Sequence, residues 1–295
     1  MHEVSRSDAF APVSVGIPTC GRGDRILNTL KQIFACNPRP MEIFVFIDEG
    51  DKRLAERIER SFPRTQVLIG GPSRVGPGGG RHVCISVATQ PFFVSFDDDS
   101  YPVDKDFFAE VVRLFNTHTD AAVIGATIWH PDETQKPRNE LFDRTADFTG
   151  CGHSLRLSAY RQIRGYLPRP IAYAMEETDV AIQLFARGWK IFRTGALRVF
   201  HDTDRAHHGA SEITTETIAN IALFAYLHYP LFGWPRGCLQ VINKLFYCVR
   251  VGRTAGMVAG LLRIPSLCRS FRVYRSPLPW PVVRQFLALR TAKQA

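Results

Sequence analysis

The chain has 295 residues, 45% of them hydrophobic, enough for one large core or a core with an appendage. Its first residues lack the basic-then-apolar layout of a signal peptide, and no apolar run approaches the ~20 residues needed to span a bilayer. The net charge of +9 is uneven: no Asp or Glu follows Glu216 whereas 11 Lys and Arg do, leaving 26 basic against 28 acidic residues in 1–230.

From residue 12 to 200 strand and helix signals alternate, which predicts an α/β sheet with helices on its faces. Val13–Ile17 reads as a first strand ended by Pro18. Ile26, Leu27, Leu30, Ile33 and Phe34 then share a helical face, with Asp24 as candidate N-cap. Ile43–Ile47 is a second strand that stops at Asp48-Glu49-Gly50-Asp51, followed by a short helix over 52–61 and a strand at Gln66–Ile69. Gly76-Pro77-Gly78-Gly79-Gly80 suggests a loop that leads through Arg81 into a helix reaching residue 88. It lacks the Gly-Lys-Ser/Thr ending of a P-loop. Next come a buried strand, Phe92–Phe96, a helix at Lys105–Phe115 and a strand at Ala121–Ile128.

Residues 129–148 are polar, contain prolines and read as a loop, followed by the turn Gly150-Cys151-Gly152-His153-Ser154 and a helix near 158–164. Glu176-Glu177-Thr178-Asp179 opens a helix closed by Gly188. Trp189–Arg193 and Leu197–Phe200 read as strands, the second ending at His201. From about residue 205 the signals are helical only, at Thr214–Tyr229, 237–262 and 281–290. The seven cysteines are odd in number and never spaced C-x-x-C, so they read as reduced cytosolic thiols.

The chemistry concentrates where Phe92–Phe96 runs into Asp97-Asp98-Asp99. Three adjacent carboxylates repel one another and are not tolerated unpaired in a core. At the C-terminal end of a parallel strand, where α/β proteins place ligand crevices, they suit Mg²⁺ or Mn²⁺, and such a metal suits a diphosphate. The competing explanation is a solvated turn that caps the next helix.

Val13–Thr19, Glu42–Gly50, Gly80-Arg81-His82, Phe96–Asp99, Gly150–Ser154 and Glu176–Asp179 appear in that order. Over residues 12–203 this order resembles the family 2 glycosyltransferases, which have the GT-A fold, and the helical tail looks like those of bacterial members that glycosylate lipid-linked or surface polysaccharides. The resemblance implies a Rossmann-like mixed α/β sheet with a C-terminal helical appendage. Residues 1–204 would form the catalytic domain and 205–295 a basic tail directed to a membrane surface or a partner. It further implies that Pro18, Thr19, Asp48, Glu49, Arg81, Asp97 and Asp98 bind the nucleotide sugar. Asp99 and His201 would hold the Mg²⁺ or Mn²⁺, Glu177 would be the catalytic base, and Gly152, His153 and Glu176 would lie on the acceptor side. The chain departs from the family pattern at Cys20, where an aromatic residue commonly stacks on the base, and at Glu49 and Glu177, where Asp is usual.

The expected activity is inverting, metal-dependent transfer of a hexosyl or deoxyhexosyl group. The donor is a nucleotide-diphosphate sugar (UDP first, dTDP or GDP next), and the acceptor a glycan or lipid-linked hydroxyl. A non-catalytic sugar-nucleotide-binding scaffold is the alternative. A sugar nucleotidyltransferase would place its glycines directly after the first strand, and a dinucleotide-dependent oxidoreductase would carry G-x-G-x-x-G there; neither is present. The acid-free tail, with aromatics among its arginines, points to an anionic membrane surface. Nucleic acid is not expected, because no binding motif accompanies the charge. The implied location is the cytoplasm, peripheral on the cytosolic face of the inner membrane.

Overall fold

The computed structural model describes residues 9–21, 23–135, 137–170, 174–203 and 210–291. The first eight residues, the boundary expected at 204–205 and Lys293 lie outside them. Of the described residues, those within Met1–Pro170 and Gln183–Thr203 form one compact unit, and those within Ile171–Ile182 and Asp204–Ala295 form a second.

The first unit is built on one mixed sheet. Its strands are β1 (Phe10–Thr19), β2 (Arg39–Ile47), β3 (Thr65–Ile69), β4 (Phe92–Ser95), β5 (Ser100–Pro102), β6 (Ala121–Trp129), β7 (Phe142–Thr145), β8 (His153–Arg156) and β9 (Lys190–His201). The order is β3-β2-β1-β4-β8-β6-β9-β5, with β7 paired to β9. β1, β2, β3 and β4 run parallel, whereas β8 is antiparallel to both of its neighbours. The parallel strands are buried on both faces, which is why they read as almost unbroken apolar runs. Val13, Val15 and Ile17 alternate onto one face and share a core with α1 (Gly23–Phe34), α2 (Lys52–Ser61) and α4 (Phe107–Thr117).

α3 (Gly76–Val87) lies on the opposite face, and here the structure corrects the expected glycine loop. Gly78, Gly79 and Gly80 are inside the helix and buried. A Cβ on Gly80 would stand 2.7 Å from Phe46 Cδ1 and 2.8 Å from Pro18 Cβ. The glycines are therefore there because helix and sheet approach closely, at the cost of helix propensity. Pro18 does not end β1: it stays in register with Phe46, and Thr19 with Ile47.

Three short strands, β5, β7 and β8, fall where turns or a loop were expected. At three or four residues each they show too little alternation to be read from sequence. The strands expected at 189–193 and 197–200 are one strand, β9. Leu157–Tyr160 is a single helical turn, α5.

The boundary between the units runs through α6 (Glu176–Ala186). The second unit otherwise contains α7 (Ser211–His228), α8 (Trp234–Arg250), α9 (Met257–Ser270) and α10 (Trp280–Thr291). The helix expected over 237–262 is two helices, separated where Gly252 and Gly256 take φ of +71° and +89°. Among the described residues no helix is long and apolar enough to cross a membrane.

Candidate active site

In the first unit β1, β2 and β4 end side by side, and their C-terminal ends carry Pro18-Thr19, Asp48-Glu49 and Asp97-Asp98-Asp99. The three aspartates face three ways, which relieves their repulsion. Asp97 is held by the Arg81 guanidinium, itself only 3% exposed, whose Nε also donates to Ser95 Oγ (3.0 Å). Asp98 is buried and accepts from Thr19 Oγ1 at 2.7 Å, while Thr29 Oγ1 donates to its carbonyl at 2.9 Å. Asp99 is buried beside Arg25 Nη1 (2.9 Å) and His201 Nε2 (3.1 Å).

His201 arrives by strand pairing. β5 follows the acidic turn at once and pairs antiparallel with β9, with Ser100 opposite His201. The imidazole is thereby set beside Asp99, although 102 positions separate them. Its other nitrogen, Nδ1, lies 3.5 Å from Cys151 Sγ. One ligand atom each from Asp97, Cys151 and His201 fall within 4.8 Å of one another.

The donor set fits a divalent cation. Carboxylate oxygen and imidazole nitrogen suit Mn²⁺, and carboxylates alone suit Mg²⁺, whereas the soft thiol of Cys151 adds nothing for either. Asp99 and His201, 3.1 Å apart, are the residues that could hold it, and Asp97 Oδ2 lies 4.0 Å from the same imidazole nitrogen. The structure brings together Asp99 and His201, the two residues that sequence reasoning named for the metal, and adds the approach of Cys151 and the guanidinium of Arg25, which it did not name. Neither carries a local signal, since each meets the site only through the fold.

Asp48 and Glu49 are used differently from each other. The buried Asp48 carboxylate accepts from the backbone N–H of Val75 (3.2 Å) and Gly76 (2.9 Å), tying the end of β2 to the start of α3. Glu49, at φ 65°, is outside the usual range for a non-glycine residue. Its carboxylate pairs with Arg74 Nε (3.2 Å) and accepts from Cys20 Sγ (3.5 Å). Burial raises the pKa of the Cys20 thiol.

Gly152 follows Cys151, and its N–H donates to Ser95 O at 2.7 Å. His153 does not face outward as a contact for an acceptor: it is fully buried in β8. Its Nδ1–H donates to Thr149 O (2.9 Å), and Nε2 lies 3.1 Å from Tyr166 Oη, where the neutral ring accepts from the Tyr166 hydroxyl. Burial and the nearby Arg81 charge lower its pKa to about 3.

In the second unit the first turn of α6 carries Glu176, buried, and Glu177, half-buried. Ala174 (φ 62°) and Met175 (φ 72°), two consecutive non-glycine residues in the left-handed region, immediately precede them. Such strain persists only where surrounding structure enforces it. Asp179 in the same turn is buried against His228 Nε2 of α7 at 2.5 Å, and this pair anchors the acidic turn to the helices that follow.

Among curated proteins none matches this chain in sequence. Solved structures match it in fold. The mannosyltransferase PcManGT from Pyrobaculum calidifontis, in complex with GDP-Man and Mn²⁺, aligns at TM-score 0.57 and 14% identity, over 96% of this chain and 86% of its own. Staphylococcus aureus TarS 1–349 with UDP-GlcNAc aligns at 0.54 and 15%, over 80% and 72%. GalNAc-T7 with UDP, GalNAc and Mn²⁺ aligns at 0.60 and 13%, over 77% of this chain but 49% of its own, so the chain spans about half its length. At these identities the likeness is one of fold, and the fold is GT-A, a mixed sheet with helices here followed by a helical C-terminal region. The sequence pattern of glycosyl transferase family 2 matches residues 14–177, more than half of the chain, and the chain belongs to that family.

Proposed function

We propose that the protein is an inverting, metal-dependent transferase that moves a hexosyl or deoxyhexosyl group from a nucleotide-diphosphate sugar to a hydroxyl of a glycan or lipid-linked acceptor. The observation that carries this reading is the pairing of Asp99 with His201 at the ends of the parallel strands, with Asp97 beside them. A carboxylate and an imidazole 3.1 Å apart, with Asp97 Oδ2 4.0 Å from the same ring nitrogen, support a Mg²⁺ or Mn²⁺ diphosphate site. Asp97 and Asp99 are then the two ends of a D-x-D motif.

Lewis-acid neutralisation of the departing diphosphate is what a bound Mg²⁺ or Mn²⁺ supplies. The rest falls to the chain. Arg81 orients Asp97, and Asp98 fixes Thr19 against the donor. Asp48 holds the start of α3, and Pro18 and Glu49 border the nucleotide. Glu177 accepts the proton of the attacking hydroxyl. The new bond joins that oxygen to the anomeric carbon as the carbon–oxygen bond to the diphosphate breaks on the opposite face, so configuration inverts. The strained residues directly ahead of Glu176-Glu177 support a functional role for this turn. Gly152 and Glu176 are assigned to the acceptor side, and buried His153 to support of the turn that carries Gly152.

UDP is the first choice of nucleotide and GDP or dTDP the next, since the structural neighbours hold UDP, UDP-GlcNAc and GDP-Man. The setting is polysaccharide or glycoconjugate synthesis at the cytosolic face of the inner membrane, with the basic helices directed to anionic lipid. The test is a thermal-shift series with UDP, dTDP, GDP and CDP, with and without Mn²⁺, on wild type and Asp99→Ala. One nucleotide should stabilise the protein only with Mn²⁺ and only when Asp99 is present. Absence of any shift would overturn the donor site and favour the scaffold.

A further inference from the structure

Helices α8 and α9 pack the reverse of the way helices of water-soluble domains pack. α8 buries Gly237, Val241 and Cys248, a stripe of small side chains, against its own unit. α9 buries Gly260 and Leu267. The contacts are close: a Cβ on Gly237 would stand 2.5 Å from Ala225 Cβ, and one on Gly260 3.0 Å from Ile218 Cβ, both on α7. Apart from buried Val241 and Leu267 and the partly buried Leu245, Met257 and Ile264, the large apolar side chains of both helices are exposed. On α8, Leu239, Ile242, Phe246 and Val249 recur at intervals of three and four and are exposed, Phe246 by 70%. On α9, Val258, Leu261 and Leu262 form a second outward stripe, 70%, 41% and 75% exposed.

Apart from Met41, Ile69, Val87 and Leu141, every exposed large apolar side chain among the described residues lies between Leu231 and Val273. A concentration of this kind marks an interaction surface. Its charge selects the partner. No acid follows Glu216, and that one is paired with Arg263 (2.6 Å). Arg250 and Arg269, in the last turns of α8 and α9, and Arg253 and Arg272, which follow them in the chain, are exposed. A second copy docking through the same face would bring its own arginines against these, whereas anionic headgroups neutralise them. Among the described residues no helix is long and apolar enough to cross a membrane, and exposed apolar stripes with arginines near them are what helices lying in the interface carry.

We propose that the outward face of α8 and α9 is a seat for an anionic phospholipid bilayer, with Phe246 and Leu262 entering the acyl boundary and the arginines reaching the headgroups. The proposal rests on the reading of the basic helices as membrane-directed and gives that reading its surface; it does not depend on the donor chemistry.

The test is co-sedimentation of the full chain with phosphatidylcholine vesicles, with and without about 30 mol% phosphatidylglycerol, for wild type and for Phe246→Glu/Leu262→Glu. Both positions are exposed, so the fold should be retained. Circular dichroism checks this, and the nucleotide-dependent thermal shift reports the donor site separately. Wild type should bind the anionic vesicles at least about tenfold more tightly than the neutral ones, less so in high salt, and the double variant should lose most of this binding. Equal binding to both vesicles, no binding to either, or undiminished binding of the folded variant would overturn the proposal. So would light scattering that shows a wild-type dimer dispersed by the two substitutions, because the face would then belong to a second copy. A vesicle failure alongside an intact nucleotide shift removes the membrane seat alone; the converse removes the transferase reading alone.

Discussion

At the scale of single residues the site is a set of charges placed by neighbours. Arg81 is the clearest case, because a buried guanidinium that meets both Ser95 and Asp97 cannot be lost quietly. Arg81→Met should lower stability by about 2 kcal/mol in urea unfolding, since Asp97 loses its partner, and should weaken any metal-dependent nucleotide shift. His153 gives a pH prediction with a definite sign. Its folded pKa of about 3 lies below the unfolded 6.5, so the unfolded chain binds the proton first. Its contribution is complete above pH 6.5 and is lost as pH falls toward 3, by up to about 1.4 kcal/mol per pH unit. Comparing the pH dependence of unfolding with that of His153→Gln checks it; an unchanged slope would refute the assignment.

At the scale of elements the glycines of α3 decide how closely that helix approaches β1 and β2. In an exposed helix, Gly→Ala stabilises by up to about 1 kcal/mol. At Gly80 the added methyl meets Phe46 and Pro18, so Gly80→Ala should instead destabilise by about 1–2 kcal/mol in urea unfolding. This element also marks the limit of what local sequence shows. A run of glycines signals a loop by composition, and only the approach of β1 and β2 explains why a helix uses them. β5 illustrates the same limit: three residues carry no pattern, yet their pairing with β9 brings His201 to Asp99.

At the scale of the whole molecule, ligand, metal and fold should be linked. A nucleotide at 100 times its dissociation constant stabilises by about 2.7 kcal/mol, which for a chain of this size raises the melting temperature by about 4 °C. EDTA should abolish that increment and leave the melting temperature without nucleotide unchanged. A fall in the latter would mean that the metal supports the fold itself. The division into two units, with the acidic turn of Glu176 and Glu177 in the second, predicts that the donor-induced shift survives Glu177→Gln while sugar transfer to an acceptor is lost. Measuring the shift and the turnover on the same preparation separates the two.

The sequence by itself determined the alternating α/β body, the acidic strand end, the order of motifs that names the family, and the acid-free helical region. Each of these is written in residues close together along the chain, as period, composition or order. The tertiary structure alone decided which carboxylate meets His201, that Arg25 and Cys151 stand beside them, and that Asp48 ties down a helix. It also decided that His153 is buried and that α8 and α9 turn their large side chains outward. Those outcomes depend on strand register and on close approach between residues far apart in the chain, as between Asp99 and His201, 102 positions apart, or between Gly80 and Phe46.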